Sequence, residues 1–452
     1  MSAAAARAAR TRAMLEGPIG PTLARLAAPN VLAMIVQALM SISEGIFASR
    51  LGVDSLAGLA LVFPLVMLTQ MLSAGAMGGA ISSAVARALG AGSPERAGNV
   101  ALAGLAIAVV SALLSAALMA GLGRPVFELL GGAGQPAEAA LSYAALFFPG
   151  CITIWLCHAT LSVIRGTGGM MFASLTLLFV SLVSIPLAGT FALGWLGLPA
   201  LGMAGLALGT VAAHALGGMV ALVYVLTGRA GLTLSGTRLQ ADMFNEILKV
   251  GLIASANSAL TVLTIVLMVG AVGRHGKEAL AGYGLGARLE FLLIPIVFGI
   301  GAAMTAMVGA NIGAHQKRRA LQIAWTGSVA AALIVGLIGL VVAIAPDLWL
   351  GLFLSPSESG PLAAGRSYFR VVAPFYSFFA IGLAMYFASQ GAGRMLWPFL
   401  GGVVRISVAF GGAIYLSGTT DLGVTAVFVA IAGGMVSYGI FIVASILLTK
   451  WR

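Results

Sequence analysis

Charged side chains are scarce in this sequence. Lysine, arginine, aspartate and glutamate make up 8% of the 452 residues, whereas they make up about a quarter of an average soluble domain. Hydrophobic residues account for 60% instead, and a soluble core has no room to bury so many. A lipid bilayer accepts apolar side chains on the outer surface of a protein. The composition therefore excludes an ordinary soluble domain and indicates a membrane protein.

Cysteine and histidine are also rare. The two cysteines, Cys151 and Cys157, lie in one predicted helix and face different directions, so they provide no disulfide framework. With only four histidines, the clustered His, Asp or Cys site of a membrane-embedded enzyme is missing. We interpret His158 and His214 as hydrogen-bonded core residues rather than proton carriers. The absence of a Walker A motif argues against ATP-driven transport.

Long apolar runs fill most of the chain. The run from Ala97 to Leu122 shows no alternation of apolar and polar residues, which is unlike a membrane β-strand. About 20 apolar residues span a bilayer as a helix, and roughly twelve such segments fit in the chain. We therefore predict an all-α polytopic membrane protein with twelve transmembrane helices.

A polar connector divides the predicted helices into two lobes of six. The predicted parts are a cytoplasmic tail over 1–26, an N-lobe over 27–227, a cytoplasmic linker over 228–246, a C-lobe over 247–448 and a cytoplasmic C-terminus over 449–452. The first helix is predicted from about Ala27 to Arg50, and the tenth from about Gly365 to Gln390. The tail lacks the apolar core and cleavage site of a signal peptide.

Basic residues are distributed unevenly over the predicted loops. With the N-terminus inside, most fall in cytoplasmic segments, among them Arg238 in the linker and Arg452 at the C-terminus. The outer segments carry only Arg50, Arg124, Arg274, Lys277 and Arg366. The positive-inside rule then places both termini in the cytoplasm, and we expect the inner membrane of a bacterium. This topology accounts for the net charge of +11, so no nucleic-acid partner is expected.

The two lobes carry an internal repeat. A segment that begins at Leu56 resembles a segment that begins at Leu280, and further matches follow at offsets of 223 to 225 residues. The matched pairs are Gly58 and Gly282, Gly90 and Gly313, Arg96 and Arg319, “SYAALFFP” ending at Pro149 and “SYFRVVAP” ending at Pro374, and “RGTGG” from Arg165 and “QGAGR” from Gln390. Because each half holds six helices, the halves are parallel repeats. Two such lobes can rock about a shared cavity, which favours a carrier over a membrane-bound enzyme.

Glu44 is the clearest functional candidate, because an acid within a membrane helix is costly to place there. With Asn30, Gln37 and Ser41 it forms a polar stripe on an otherwise apolar helix. Such a stripe should face protein or a water-filled cavity. The carboxylate could bind and release a proton there, or coordinate Na⁺ when it is ionised. The alternative is that Glu44 lies near the outer end of the helix and only pairs with a basic group.

Other polar residues within the spans define a candidate substrate cavity. The seventh helix has polar residues but no acid, whereas the eighth has Arg288 and Glu290 on nearly opposite faces. Glu290 is a second candidate for handling a proton or cation, with a structural ion pair as the alternative. Flexible methionines suit varied lipophilic cations. The predicted cavity residues are Gln37, Ser41, Met67, Asn257, Thr261, Arg288 and Glu290.

Several segments, taken in order and spacing, resemble the multidrug and toxic compound extrusion (MATE) family. They are “APN” in helix 1, “SEGIFASRLGVDSLAGLALVFPL” from Ser43, “GAGSPERA” after helix 2, “RGTGG” after helix 4, “GLPALGMAGLALGT” entering helix 6 and “IGAHQKRRA” after helix 8. The resemblance covers almost the whole chain. It implies two six-helix lobes and a secondary antiporter that exports small organic, often cationic or lipophilic compounds in exchange for H⁺ or Na⁺. It implies no cofactor and no resident metal.

The resemblance also assigns individual residues. Glu44 stands where the family usually has Asp in the first helix, and Thr210 matches a Thr in the sixth. Ser184 and Ala188 stand where many members have Asn and Asp in the fifth helix. Ion coupling is thereby assigned to Glu44 with Ser184 and Thr210 in support, while these departures leave the coupling ion open. We expect a monomer whose partners are small organic substrates and membrane lipids.

A flippase for a lipid-linked precursor or polysaccharide, from the same wider superfamily, is the alternative within transport. Its diphosphate ligand would need a basic central cavity. Arg288, Arg370 and Arg405 lie within predicted spans and could supply that charge.

Overall fold

The computed structural model describes residues 2–232, 234 and 239–451. Arg238 of the predicted linker and the terminal Arg452 lie outside these residues. Every regular element in the described part of the chain is a helix, which confirms the all-α prediction. Twelve of these helices are long and apolar enough to cross a membrane.

We number the twelve long helices α1 to α12. The first six are α1 Ile19–Arg50, α2 Val53–Gly90, α3 Pro94–Leu129, α4 Gly134–Gly166, α5 Met170–Leu193 and α6 Gly202–Leu226. The second six are α7 Ala241–Gly273, α8 Lys277–Gly313, α9 Lys317–Ile344, α10 Ser359–Gly391, α11 Leu396–Thr419 and α12 Val424–Thr449. The smaller elements are the N-terminal helix Ala3–Glu16, a 3₁₀ turn Trp195–Gly197 and a short helix Asp347–Leu350.

The first span begins earlier than the apolar pattern indicates. α1 starts at Ile19 rather than near Ala27, and the N-terminal helix occupies most of the predicted tail. Hydropathy marks only the part of a helix that meets hydrocarbon, whereas the backbone hydrogen bonds of the helix continue beyond that part. The predicted tail is therefore largely helical.

Three long helices are locally irregular, and one of them, α11, contains a π-helical segment at Ser407–Gly411. α2 contains a π-helical segment, Met71–Met77. α10, predicted as one helix from Gly365 to Gln390, is interrupted by a 3₁₀ turn at Ala373–Phe375. Pro374 lies within this turn and has no N–H to donate to the preceding turn.

Two hydrophobic cores divide the molecule mainly between α7 and α8, one helix later than the sequence repeat divides it. One consists mainly of buried side chains from α1 to α7, and the other mainly of side chains from α8 to α12. Met14 of the N-terminal helix and Leu23 at the start of α1 belong to the second core. The beginning of the chain is thus packed against the opposite lobe.

Glycines matched by the repeat occupy equivalent places in the two lobes. A Cβ atom on Gly58 of α2 would lie 2.9 Å from the carbonyl oxygen of Pro136 in α4. A Cβ atom on Gly282 of α8 would lie 2.7 Å from the carbonyl oxygen of Pro361 in α10. Only glycine permits so close an approach of the two backbones. The internal repeat of the sequence is therefore a structural repeat.

The lobes join at one end of the bundle. We call the end that carries both termini the terminal end, and the opposite end the far end. At the terminal end the Cα of Gly90 in α2 faces the carbonyl of Ala310 in α8, and Gly313 faces the carbonyl of Arg87 in the reciprocal contact. Toward the far end, α2 packs mainly on α4 and α8 mainly on α10, each within its own lobe. The cleft between the lobes is therefore closed at the terminal end.

Ion pairs reinforce this closure. The Arg87 guanidinium of α2 lies 3.0 Å from the carboxylate of Glu246 in α7. Arg96 of α3 lies 2.9 Å from the same carboxylate and 3.2 Å from Asp242. These contacts join the first lobe to the first helix of the second lobe.

Candidate functional site

Glu44 lies inside the first lobe. The buried residues of α1 around it are Met40, Glu44, Phe47 and Ala48, which form one face at helical spacing. The acid is therefore part of the face that packs against the lobe, and it is 9% exposed. The polar stripe predicted from the sequence does not lie entirely within this buried face. Gln37 is half-buried, whereas Ser41 is exposed.

Thr210 of α6 is the hydrogen-bond partner of Glu44. Its hydroxyl donates to Oε1 at 2.5 Å, so two of the three predicted ion-coupling residues are in direct contact. No lysine, arginine or histidine of the described residues forms an ion pair with Glu44. A carboxylate in this setting can exchange a proton or bind a cation without competition from a fixed positive charge among the described residues.

Two further hydroxyls belong to the surroundings of this acid. Ser184 of α5 is fully buried and its Oγ has no hydrogen-bond partner; α5 packs against both α1 and α6. Ala188, one turn further along α5, contacts Gly209 beside Thr210. The structure places Ser184 in the same helix cluster as Glu44 but does not join the two by a hydrogen bond.

Tyr143 of α4 is a site residue that the sequence analysis missed. It is fully buried, lies close to Thr210 and interacts electrostatically with Glu44. The repeat contained the signal that could have identified it, because Tyr143 in “SYAALFFP” matches Tyr368 in “SYFRVVAP”. Tyr368 also faces a membrane acid, as described next.

Glu290 occupies a different environment in the second lobe. It accepts a hydrogen bond from the Tyr368 hydroxyl, and Tyr376 and Arg405 also act on it electrostatically. The Arg405 guanidinium lies over the ring of Phe379 at 4.8 Å. The acid of the second lobe therefore has a cation nearby, in contrast to Glu44.

Among the described residues, no hydrogen bond or ion pair joins Arg288, Asn257 or Met67 to a predicted cavity residue of another helix. Arg288 is exposed and lies 5.9 Å from the ring of Phe353, beyond the end of α9. Asn257 is buried against Gly402 of α11. Thr261 donates to the carbonyl of Asn257 at 3.0 Å, and Met67 is half-buried in α2.

An apolar recess lies on the second lobe. It has a volume of about 750 Å³ and its walls include Val371 and Phe375 of α10, Val404 of α11, and Val436 and Ile440 of α12. Ligand pockets of drug size have volumes in this range. None of the predicted cavity residues lines this recess.

The fold and the buried acid together define a class of protein: a polytopic α-helical carrier with two repeated lobes around a cleft. The MatE family model matches residues 29–190 and again residues 253–414, one match in each lobe at an offset of 224 residues. The chain belongs to the MATE family of multidrug transporters, whose members are transporters rather than enzymes.

Curated relatives and solved structures agree with this membership. The chain is 25% identical to the probable multidrug resistance protein YoeA of Bacillus subtilis, with 89% of this chain and 88% of the relative covered. It is 27% identical to the probable multidrug resistance protein NorM of Mesorhizobium japonicum, over 100% and 97% of the two chains. A solved structure described as the outward-facing conformation of a multidrug resistance MATE family transporter matches with a TM-score of 0.87 at 24% identity, over 97% and 98% of the chains.

Proposed function

We propose that this transporter exports lipophilic organic cations from the cytoplasm in exchange for protons, and that Glu44 is the acid that couples the two fluxes. The observation that carries the proposal is the setting of Glu44: buried, bonded to the Thr210 hydroxyl, and without a fixed cation to neutralise it. The family membership supports multidrug efflux as the coarser function.

The ligand set favours a proton over Na⁺. Sodium coordination in proteins needs several oxygen ligands around the ion. Glu44 is the only carboxylate of its cluster, and the helical backbone carbonyls nearby are engaged in the helices themselves. The hydroxyls of Tyr143 and Ser184 remain as neutral oxygens. A carboxyl that gives up and regains one proton needs only the Thr210 contact already in place.

Coupling follows if the two ligands prefer different arrangements of the lobes. The arrangement described above is closed at the terminal end, which we assign to the cytoplasmic side from the distribution of basic residues. In the proposed cycle, a proton from outside binds Glu44 in this state and favours release of the organic cation. Reopening at the cytoplasmic side then releases the proton and admits new substrate.

The molecular setting follows from the same topology. We place the protein in the bacterial inner membrane with both termini in the cytoplasm. One chain contains both lobes, so the cleft is complete in a monomer. The outer surfaces of the helices, rich in exposed leucine and valine, would contact lipid.

A flippase for lipid diphosphates receives less support. Arg288 lies beside Phe353, Arg370 is exposed and acts electrostatically on Asp347, and Arg405 is stacked between the rings of Phe379 and Tyr438. These arginines do not converge on a common cavity. A diphosphate would need them to act together.

Transport by proteoliposomes tests the proposal. Purified protein would be reconstituted, and ethidium movement would be followed under a pH gradient alone and then under a Na⁺ gradient alone. We expect movement against the ethidium gradient only with the pH gradient. Glu44→Gln should abolish this coupled movement, because glutamine retains the shape of the side chain but cannot release a proton.

Glu290→Gln is the matched comparison, since it removes the acid of the other lobe. We expect it to retain dependence on the pH gradient. Coupled transport at the wild-type rate by correctly inserted Glu44→Gln protein would exclude Glu44 from the mechanism. Transport driven by Na⁺ alone would replace the proton with Na⁺ as the coupling ion.

A further inference from the structure

A chain of buried polar contacts continues from Glu44 into the first lobe. Thr210 donates its hydroxyl to Glu44, and its backbone carbonyl lies 2.8 Å from Nδ1 of His214, one turn further along α6. A carbonyl can only accept, so Nδ1 of His214 carries a hydrogen. The other ring nitrogen, Nε2, is buried and has no hydrogen-bond partner. His214 therefore offers a free proton acceptor one helical turn from the partner of Glu44.

His158 of α4 extends the chain toward α2. Its ring lies 5.6 Å from the ring of His214 at an interplanar angle of 88°. Its Nδ1 lies 2.8 Å from the hydroxyl of Ser73, which itself donates to the carbonyl of Thr69 at 2.7 Å. When the Ser73 hydroxyl donates to Thr69, Nδ1 of His158 is the donor in the contact with Ser73. In that arrangement both imidazoles hold a hydrogen on Nδ1 and can take another on Nε2.

Few other titratable groups face this pair. Arg165, two turns further along α4, acts electrostatically on His158, and Cys157 adjoins it in sequence. Glu44 of α1 and Tyr143 of α4 lie on the Thr210 side. α5 contains no titratable side chain, and those of α2 and α3 lie near the ends of the helices.

We propose that His214 and His158 are further proton-carrying residues of this transporter, which take the proton from Glu44 and conduct it toward the terminal end. This inference rests on the proposed coupling at Glu44 and gives that site its inward path. In the first step the O–H bond of the Glu44 carboxyl breaks and an N–H bond forms at Nε2 of His214, with one water molecule carrying the hydrogen between the two groups. The products are a carboxylate and an imidazolium, so charge and atoms balance without an oxidant or reductant.

The second transfer passes the proton between neighbouring rings. Nε2–H of His214 breaks and Nε2–H of His158 forms, directly or through one water molecule. The positive charge of Arg165 disfavours a lasting second cation on His158, so the proton moves on rather than resting there. The route ends beside Ser162, which donates to the His158 carbonyl at 2.7 Å and lines a small cavity with Arg165 between the lobes.

Contact with Ser73 gives the relay a mechanical connection. Ser73 lies within the π-helical segment of α2, whose carbonyls at Gly75 and Ala76 accept hydrogen bonds from Gln390 of the second lobe at 3.0 and 3.1 Å. π-helical segments within α-helices are frequent at functional sites. Movement of the proton through His158 therefore occurs next to the part of α2 that holds the lobes together.

Asparagine substitutions separate a proton-carrying role from a structural one. Asparagine keeps an N–H close to the position of Nδ1 but cannot bind a second proton. His214→Asn can still donate to the Thr210 carbonyl, and His158→Asn can still donate to Ser73. The exposed His275 and His315 supply the controls His275→Asn and His315→Asn, and the chain has no other histidines.

The measurement is ethidium transport in proteoliposomes, with and without a pH gradient, over a range of pH. We expect the rate of gradient-driven transport to fall at least tenfold in His214→Asn and in His158→Asn. The remaining transport should no longer depend on pH. Downhill exchange of ethidium without a gradient should persist, because it needs the rocking of the lobes but no net proton transfer. The two control variants should behave like the wild type.

Two results would overturn the relay. One is wild-type rate and pH dependence in both asparagine variants, which would reduce the histidines to hydrogen-bonding residues. The other is equal loss of driven transport and downhill exchange in purified, monodisperse variants, which would indicate a structural role. Failure of the proposed coupling itself is distinguishable, because wild-type protein would then not respond to the pH gradient at all.

Discussion

At the scale of single residues, the two membrane acids differ in whether a positive charge lies beside them. Both lobes place a carboxylate near a repeat-matched tyrosine, Glu44 near Tyr143 and Glu290 next to Tyr368. Only Glu290 also has Arg405 within electrostatic range. A neighbouring cation favours the ionised form of a carboxylate. The acid with no such neighbour is the one suited to gain and lose a proton during transport.

Thr210 provides a direct test of this setting. Thr210→Val removes the hydroxyl and keeps the shape, leaving the carboxylate without its donor. A hydrogen bond to a charged group contributes about 1.5–3 kcal/mol, so we expect a loss of roughly tenfold or more in pH-driven ethidium transport.

Thr210→Ser is the matched control, because it restores the hydroxyl and removes only a methyl group. Its transport rate should lie close to that of the wild type. Equal rates in the valine and serine variants would contradict a role for the hydroxyl.

Sequence reasoning reached Glu44 but not all of its partners. An acid in an apolar helix can be recognised from the sequence alone. The free-energy cost of placing its charge in the membrane does not depend on which helix lies opposite. Tyr143 and the His214–Thr210 contact depend on how α1, α4 and α6 are arranged, which periodicity does not specify. Thr210 was assigned only through the family resemblance. The cavity residues were grouped by polarity alone, which does not specify which of them face one another.

At the scale of helices, close glycine contacts determine where the lobes meet. Gly90 and Gly313 place α2 and α8 against each other's backbone carbonyls at the terminal end. These contacts exist only while that end is closed. A side chain added at either position should therefore act against the closed state specifically.

Gly90→Ala tests this contact. A Cβ there would overlap the Ala310 carbonyl, and overpacking of this kind costs about 1–3 kcal/mol. We expect the ratio of open to closed terminal ends to rise roughly tenfold, the effect of about 1.4 kcal/mol. The measurement is maleimide labelling of a cysteine introduced by Ala86→Cys, a buried position that faces Gly309 of α8.

Two further variants test whether the labelling change in Gly90→Ala comes from the contact between α2 and α8. Gly313→Ala, the repeat mate, should increase labelling to a similar degree. Gly45→Ala should leave it unchanged, because no atom lies within 4 Å of a Cβ at that position. Unchanged labelling in both Gly90→Ala and Gly313→Ala would mean that these glycines do not control closure.

The number of helices could be predicted from the sequence, whereas their local irregularities could not be predicted as fully. Twelve spans follow from hydropathy, because each must satisfy its own backbone hydrogen bonds in lipid. Pro374 lies at the break in α10, whereas its repeat mate Pro149 lies within the unbroken helix α4, so proline alone did not indicate the break. The π-helical segment Met71–Met77 has no such local cause, since it is stabilised in part by Gln390 from the other lobe.

At the scale of the whole molecule, the start of the chain connects the two lobes. Arg10 of the N-terminal helix donates to the carbonyls of Thr167 and Ala230, which lie at the terminal end of the first lobe. Asn311, near the end of α8, donates to the carbonyl of Met14 at 3.0 Å. The composition of the first residues indicated a basic tail, but not that it would pack across both lobes.

Proposed exchange of a proton for an organic cation couples two binding equilibria across the whole molecule. If the two ligands favour opposite states, then each must weaken binding of the other by the same factor. Binding of substrate to the proton-loaded protein must therefore release a proton. This release can be measured without a membrane or an imposed gradient.

The most direct measurement is proton release on addition of ethidium to purified protein in weakly buffered solution, followed with a pH-sensitive dye across a range of pH. For the wild type we expect a maximum of about one proton released per ethidium bound, as linkage at a single acid requires. Glu44→Gln should bind ethidium and release none. Ethidium binding without proton release by the wild type, or equal release by Glu44→Gln, would contradict the account.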